Sequence, residues 1–209
     1  MKPFNTIVAA AIVTLSVFSL TFYSCNQDDC KDVNCQNGGT CDKGLCICPS
    51  GYTGVNCEIV DKCWNIVCAN GGTCVDGKCN CPLGYEGVQC ETATRDKYLG
   101  PWIVTEDGTS SNAAQYTVSV EKGSNIHEVV IKNFQDHFTG NVSGFVKGDT
   151  INIPLQTIHN VEVSGKGYLA EDPIYGKYGK IIFRYQVKDS TGAINDFGVN
   201  NGSPSLWNK

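Results

Sequence analysis

Residues 30–57 read CKDVNCQNGGTCDKGLCICPSGYTGVNC, and residues 63–90 read CWNIVCANGGTCVDGKCNCPLGYEGVQC. Both follow C-x4-C-x5-C-x4-C-x-C-x8-C, and each cysteine of the second stretch lies 33 residues after its counterpart in the first. Twelve of the 13 cysteines fall into these sets: Cys30, Cys35, Cys41, Cys46, Cys48 and Cys57, then Cys63, Cys68, Cys74, Cys79, Cys81 and Cys90. The residues between them repeat too. Asn37-Gly38-Gly39-Thr40 returns as Asn70-Gly71-Gly72-Thr73, and Pro49, Gly51, Tyr52 and Gly54 return as Pro82, Gly84, Tyr85 and Gly87. A segment of 28 residues cannot bury enough apolar surface to hold a fold, and chains this short need covalent staples. Disulfides closing loops of about a dozen residues contribute on the order of 3 kcal/mol each, so three per repeat approach the stability of a whole small domain. Six cysteines allow fifteen pairings, and spacing alone does not choose among them.

The motifs NGGTC and C-x-C-P-x-G-Y-x-G-x-x-C resemble those of epidermal growth factor (EGF)-like domains, and the resemblance covers residues 30–90. It implies pairing of Cys30 with Cys41, Cys35 with Cys46 and Cys48 with Cys57, and of Cys63 with Cys74, Cys68 with Cys79 and Cys81 with Cys90. Zinc is the competing use of such cysteines. Zinc sites pair C-x2-C to C-x4-C motifs with a second pair or with histidines, and no histidine precedes His127. Some EGF-like domains bind calcium through acidic residues before the first cysteine together with a polar and an aromatic residue between the third and fourth. Asn26-Gln27-Asp28-Asp29 resembles the first half of that pattern, but the segments 42–45 and 75–78 are too short for the second. No metal or other cofactor is therefore expected, calcium included.

Disulfides at this density require an oxidising compartment, and the N-terminus supplies an export route. Met1-Lys2 precedes an apolar stretch over residues 7–22, which is followed by Ser24 and the thirteenth cysteine, Cys25. A lone cysteine after an export signal and a small residue resembles a bacterial lipobox, in which the thiol is acylated and becomes the first mature residue. The acidic run after it resembles the tract that sends Bacteroidota-type lipoproteins to the outer face of the outer membrane. The expectation is a lipoprotein signal peptide over 1–24, a lipidated tether over 25–29, EGF-like modules over 30–57 and 63–90, and membrane attachment through Cys25 at the cell surface.

After Cys90 the chain holds no cysteine and turns rich in β-branched and aromatic residues. Residues 91–97 read as a polar linker, and 98–209 are long enough for one domain with its own core. Apolar residues alternate with polar ones, as in Tyr116, Val118 and Val120, in Ile151, Ile153 and Leu155, in Val161 and Val163, and in Ile181, Phe183, Tyr185 and Val187. Turn-forming segments at 122–125, 147–149, 164–167 and 189–192 punctuate these runs. The spacing predicts about eight antiparallel strands in an all-β meander, at 102–106, 116–121, 127–133, 139–146, 150–155, 160–164, 180–188 and 195–199. Such a meander avoids exposed edges by closing into a barrel or packing as a sandwich. Gly100-Pro101-Trp102 resembles the G-x-W motif of lipocalin-like (calycin) barrels. That resemblance implies a Trp102 ring packed against a basic residue of a late strand, for which Arg184 is the candidate, and it leaves open whether a ligand cavity exists.

Catalytic patterns are absent. His127, His137 and His159 do not stand at metal-ligand spacings, and no G-x-S-x-G, H-E-x-x-H or P-loop motif occurs. The many carboxylates, Glu106 among them, are scattered without a distinguishing motif. The expectation is a protein that is not an enzyme. A net charge of −5, from 16 basic and 21 acidic residues without a basic cluster, argues against nucleic acid. Tyr168, Tyr175 and Tyr178 cluster with Pro173, Gly176 and Gly179 on what reads as a loop, and exposed loop tyrosines mark contact surfaces. Together these features suggest a surface lipoprotein whose EGF-like stalk presents a β domain for recognition of a protein or glycan. The alternatives are a lipocalin-like carrier of a small apolar ligand, favoured by a large pocket beside Trp102, and a structural component of the cell envelope.

Overall fold

A computed structural model describes residues 29–136 and 139–209. Cys25, the export segment 1–24 and all of the proposed tether but Asp29 lie outside the described residues, as does His137. The chain divides into two compact units, one ending at Trp64 and the other running from Asn65 to Lys209.

In the first unit, β1 (Thr40–Asp42) and β2 (Leu45–Ile47) form a hairpin that sets Cys41 opposite Cys46. Lys43 and Gly44 make its two-residue turn with positive φ of 49° and 82°, the turn geometry that follows the natural twist of a hairpin. β3 (Tyr52–Thr53) pairs with β4 (Ile59–Val60), so the chain just after Cys57 folds back on the first repeat. Disulfides join Cys30 to Cys41, Cys35 to Cys46 and Cys48 to Cys57. The repeated Asn-Gly-Gly now has a physical cause. The Asn37 amide donates to the Cys57 carbonyl at 2.8 Å, and any Cβ at Gly39 would lie 2.8 Å from the Cys57 sulfur. Only glycine lets the chain pass the third disulfide at that distance.

The second unit opens with the same design, with β5 (Thr73–Val75), β6 (Lys78–Asn80), β7 (Tyr85–Glu86) and β8 (Thr92–Ala93) pairing as before. Asn70 donates to the Cys90 carbonyl at 2.8 Å, and Cys68–Cys79 and Cys81–Cys90 are joined. Cys63 and Cys74 are disulfide-bonded as well, which makes six disulfides among the described residues. The pairs Cys30–Cys41, Cys35–Cys46, Cys48–Cys57, Cys68–Cys79 and Cys81–Cys90 are those implied by the EGF-like resemblance.

A closed antiparallel barrel comes next, built from β9 (Gly100–Glu106), β10 (Ala114–Lys122), β11 (Glu128–Lys132), β12 (Val142–Lys147), β13 (Thr150–Ile158), β14 (Val161–Asp172), β15 (Gly176–Lys188), β16 (Ile194–Phe197) and β17 (Ser205–Asn208). Each strand from β9 to β15 pairs with the next, β15 pairs with β17, and β17 closes the ring on β9. Along one edge of β15, residues 185–188 pair with β16 and residues 180–183 with β17. These two strands are therefore one interrupted eighth stave, from which residues 198–204 loop out. The Asp196 carboxylate holds that excursion by accepting from the N–H groups of Val199, Asn200 and Asn201, at 2.7, 3.0 and 3.3 Å, and from Gln186 Nε2 at 2.6 Å.

Several expected boundaries move. Residues 164–167, which read as a turn, lie inside β14. The glycines there serve packing, since a Cβ at Gly167 would stand 2.5 Å from the Phe183 ring and one at Gly165 2.3 Å from Tyr185 Cβ. The expected tyrosine loop is mostly sheet, and only Pro173, Ile174 and Tyr175 separate β14 from β15. β17 escaped the strand count because it is four residues long and follows Pro204. Pro154, inside β13, sits at a register break between Ile153 and Gln156, where proline is tolerated, and the break leaves Leu155 exposed rather than on the inward face of Ile151 and Ile153. The Gln156 side chain substitutes for the interrupted ladder, accepting from Ser143 N at 3.0 Å and donating to Ser143 O at 2.7 Å.

The expected linker is also ordered. Thr94–Lys97 form a 3-10 helix in which Thr94 is buried. Arg95 Nη1 donates to the carbonyls of Asn125 at 2.6 Å and Gly123 at 3.2 Å. Lys97 reaches Glu86 of the second cysteine repeat at 3.0 Å and Asp149 of the barrel at 2.7 Å. Burial pulls the Lys97 pKa down, but hydrogen bonds and charge from these two carboxylates outweigh it and leave the pKa raised. Ile126 packs directly on Gly84. The second cysteine repeat is thus docked on one end of the barrel, and the helix between them closes that end.

Candidate binding surfaces

Inward residues of the barrel follow strict alternation. Trp102, Val104, Val118, Val120, Ile151, Ile181, Phe183 and Trp207 are all buried. Trp102 donates its indole N–H to the Tyr98 carbonyl at 2.7 Å. The basic partner of Trp102 is not Arg184. On β15, Ile181, Phe183 and Tyr185 point inward, so Arg184 points out and is exposed. The ammonium of Lys209 occupies the expected place, 5.0 Å from the centre of the Trp102 ring and 3.1 Å from the Lys97 carbonyl. Burial holds the Lys209 pKa below its ordinary value. Gly100 begins β9 with φ 110°, a conformation that favours glycine.

Aromatic rings fill the lumen. Phe183 stacks on Trp207 with centroids 5.1 Å apart, and Tyr185 stacks on Phe197 at 4.3 Å. Phe134, from the loop after β11, turns into the barrel and packs 4.8 Å from Tyr185 and 6.2 Å from Trp207. It is fully buried and plugs the end opposite the docked cysteine repeat.

The structure separates the three tyrosines singled out in the sequence. Tyr168 is exposed on the outer face of β14, and Tyr175 is exposed at the hairpin tip beside Ile174, which is 83% exposed. The Asp172 carboxylate shapes that tip by accepting from Ile174 N at 2.8 Å and Tyr175 N at 3.1 Å, and these bonds hold its pKa down. Tyr178 is half-buried, with the ammonium groups of Lys97 and Lys177 at 5.2 and 5.1 Å from its ring, so it belongs to the closed end. On the outer face of the ribbon, Lys166 stands directly opposite Arg184, and Tyr168 opposite Ile182. The Lys166 ammonium lies 5.0 Å from the Tyr168 ring. Arg184 and Tyr168 therefore share an aromatic and basic surface, in a chain whose net charge is negative.

A second arrangement has no sequence motif. Glu106 is 7% exposed, near the plugged end of the barrel. Its Oε1 accepts from the Tyr116 hydroxyl at 2.6 Å. Its Oε2 accepts from the Tyr185 and Ser205 hydroxyls, both at 2.7 Å. Ser205 accepts in turn from the Trp207 indole at 2.9 Å, and Tyr185 accepts from Gln135 Nε2 at 3.3 Å. Every donor points toward the carboxylate, as suits an anion. Burial, followed by the nearby Glu106 charge, raises the Tyr116 pKa well above the ordinary phenol value. Burial, with Tyr116 and Glu106 beside it, does the same for Tyr185. Both phenols stay protonated donors. Glu106 was legible only through parity, since Trp102, Val104 and Glu106 share the inward side of β9. Replacing it with alanine strands three hydroxyl donors, so Glu106→Ala is expected to cost about 2–3 kcal/mol. Thermal melts of the variant check this.

Among the described residues no group of acidic, histidine or cysteine side chains is arranged to hold a metal ion.

No protein-family model matches the chain. Among curated proteins it resembles Fibropellin-1 of Strongylocentrotus purpuratus, 42% identical over 52 residues, 23% of this chain and 5% of that protein. It also resembles Netrin-G1 of Mus musculus, 45% identical over 40 residues, 18% of this chain and 7% of that protein. A third relative, Protein lin-12 of Caenorhabditis elegans, is 46% identical over 41 residues, 19% of this chain and 3% of that protein. The likeness thus spans a small part of each relative. Among solved structures, a redesigned beta barrel aligns with a TM-score of 0.34 and 15% identity, covering 56% of this chain and 94% of that one. A Bacteroides ovatus protein of unknown function aligns with a TM-score of 0.33 and 12% identity, covering 52% and 40%. Residues 30–90 are EGF-like modules, as sequence likeness and disulfides agree, and the eight-stranded barrel rests on its own strand pairing. Disulfide-rich modules of this kind mark an extracellular or secreted protein.

Proposed function

We propose that the chain is a non-catalytic binding protein of the cell surface, held at the outer membrane through acylated Cys25, with its EGF-like modules presenting the barrel to a protein or glycan. The contact surface in this proposal is the outer face of the β14–β15 ribbon and its tip. The observation that carries it is the exposure of Tyr168 beside Lys166 and Arg184 on the ribbon, with Ile174 and Tyr175 exposed at its tip. Aromatic rings flanked by cations suit a partner bearing negative charge, because the rings contribute desolvated area and the cations steer approach. The docked joint around Lys97 supports a presenting role, since it fixes the ribbon relative to the second module. A filled lumen gives no support to carriage of a small apolar ligand.

The test uses the full chain on immobilised heparin, alginate and polyglutamate, measured by surface plasmon resonance at two salt concentrations. Retention on at least one is expected. The combined variant Lys166→Ala, Ile174→Ser, Tyr175→Ser is expected to weaken that retention about tenfold or more at an unchanged melting temperature. Equal retention by the variant, or none by the parent chain, would exclude this surface. Calcium is expected to have no effect on binding, and mass spectrometry of the membrane-extracted N-terminus is expected to find Cys25 as the first, acylated residue.

A further inference from the structure

At the end of the barrel away from the docked EGF-like module, the segments 111–116 and 135–136 together with Asn195 and Phe197 enclose a recess of about 460 Å³. That is within the range of small-ligand pockets, about 300–1,000 Å³. Most of its lining residues are polar. Glu106 and Tyr116 form the base, with Asn112, Gln135, Asp136 and Asn195 around them. We infer that this recess binds a neutral saccharide, as a site separate from the aromatic and basic ribbon.

The ligand class follows from the donors and acceptors on offer. No lysine or arginine is among the lining residues, so a carboxylate, phosphate or sulfate would enter beside Glu106 and Asp136 without a compensating charge, a costly placement. An ammonium group could satisfy those carboxylates but only donates, leaving the amide N–H groups of the walls unpaired. A polyol both donates and accepts, and its hydroxyls can pair with carboxylates and amides alike. The pre-existing bonds keep the walls in place. Glu106 is fixed by three hydroxyls, the Gln135 amide is fixed on Tyr185 at 3.3 Å, and Asn195 Oδ1 accepts from Ser110 N at 2.9 Å. Asn133, Gln135 and Asp136 all adopt positive φ, from 55° to 57°, which turns Phe134 into the lumen while its neighbours line the recess.

Isothermal titration of the full chain with maltohexaose, cellohexaose, mannohexaose and xylohexaose tests this, with spermidine and a hexamer of glucuronate as charged controls. At least one neutral oligosaccharide is expected to bind. The double variant Asn112→Ala, Asp136→Asn, which removes two wall contacts while keeping a residue tolerant of positive φ at 136, is expected to weaken it about tenfold or more. The ribbon variant is expected to bind that oligosaccharide unchanged, so the two sites fail or stand independently. Binding of none of the four neutral oligosaccharides, preference for either charged control, or equal affinity in the double variant overturns the inference.

Discussion

Reduction of the six disulfides is expected to unfold both EGF-like modules while the barrel survives. Each module is cross-linked across sequence separations of 9 to 11 residues. Loops of that size contribute about 3 kcal/mol apiece, so about 9 kcal/mol rests on three of them, as much as the whole stability of many small domains. Nothing else in the modules could hold them. Leu45, Ile47, Val55, Val67 and Val88 are exposed, and of the core only Cys57 and Cys90 are fully buried there. The barrel has no cysteine and a continuous apolar interior. Calorimetry with and without a phosphine reductant should show one transition disappear and the barrel transition fall by only a few degrees. That small fall reflects the lost packing of Ile126 on Gly84 and the lost ion pair of Lys97 with Glu86. Amide protection persisting over residues 30–90 after complete reduction would contradict the argument, as would loss of the barrel transition.

Truncating the plug, Phe134→Ala, is expected to destabilise the barrel by about 3–5 kcal/mol, the range for deleting a buried phenyl ring. The ring touches Tyr185 and Trp207, which are themselves fixed to Glu106 and Ser205, so the site cannot collapse to fill the void. The vacated volume would open toward the end of the lumen that Phe134 seals. A fluorescent apolar probe such as anilinonaphthalene sulfonate should therefore bind the folded variant and leave the parent chain dark. Strong uptake by the parent chain would show that Phe134 is a movable gate and would return the carrier alternative to favour. A loss well under 1 kcal/mol would show the ring to be dispensable.

Both outcomes trace to residues whose significance differed in visibility. The modules were legible almost completely, because a disulfide framework is encoded by spacing, and the same spacing occurs twice. Most of the strands and the inward or outward sense of their side chains were legible from alternation, which put Trp102, Phe183 and Tyr185 inside. The same parity places Arg184 outside. The resemblance to lipocalin-like barrels paired it with Trp102 nonetheless, and Lys209 takes that place because the C-terminal strand, too short to be noticed, brings it there. The tyrosines showed the converse. Glycine, proline and tyrosine between 165 and 179 read as loop, but in β14 Gly165 and Gly167 give way to large rings on β15, which only contact across the hairpin reveals. Glu106 lacked any motif, and its role arises from hydroxyls on β10, β15 and β17.

Taken alone, the amino-acid order determined the twin cross-linked modules, the compartment they demand and the all-β character of residues 98–209. Those properties depend on near neighbours, on loops of a dozen residues and on period-two patterning. Closure of the ring by β17 on β9, the aromatic filling of the lumen, the buried carboxylate beneath the recess and the seating of the second module were decided only in three dimensions. Each joins segments distant in the chain, and such partnerships are selected by the packing of the whole barrel, which no local pattern encodes.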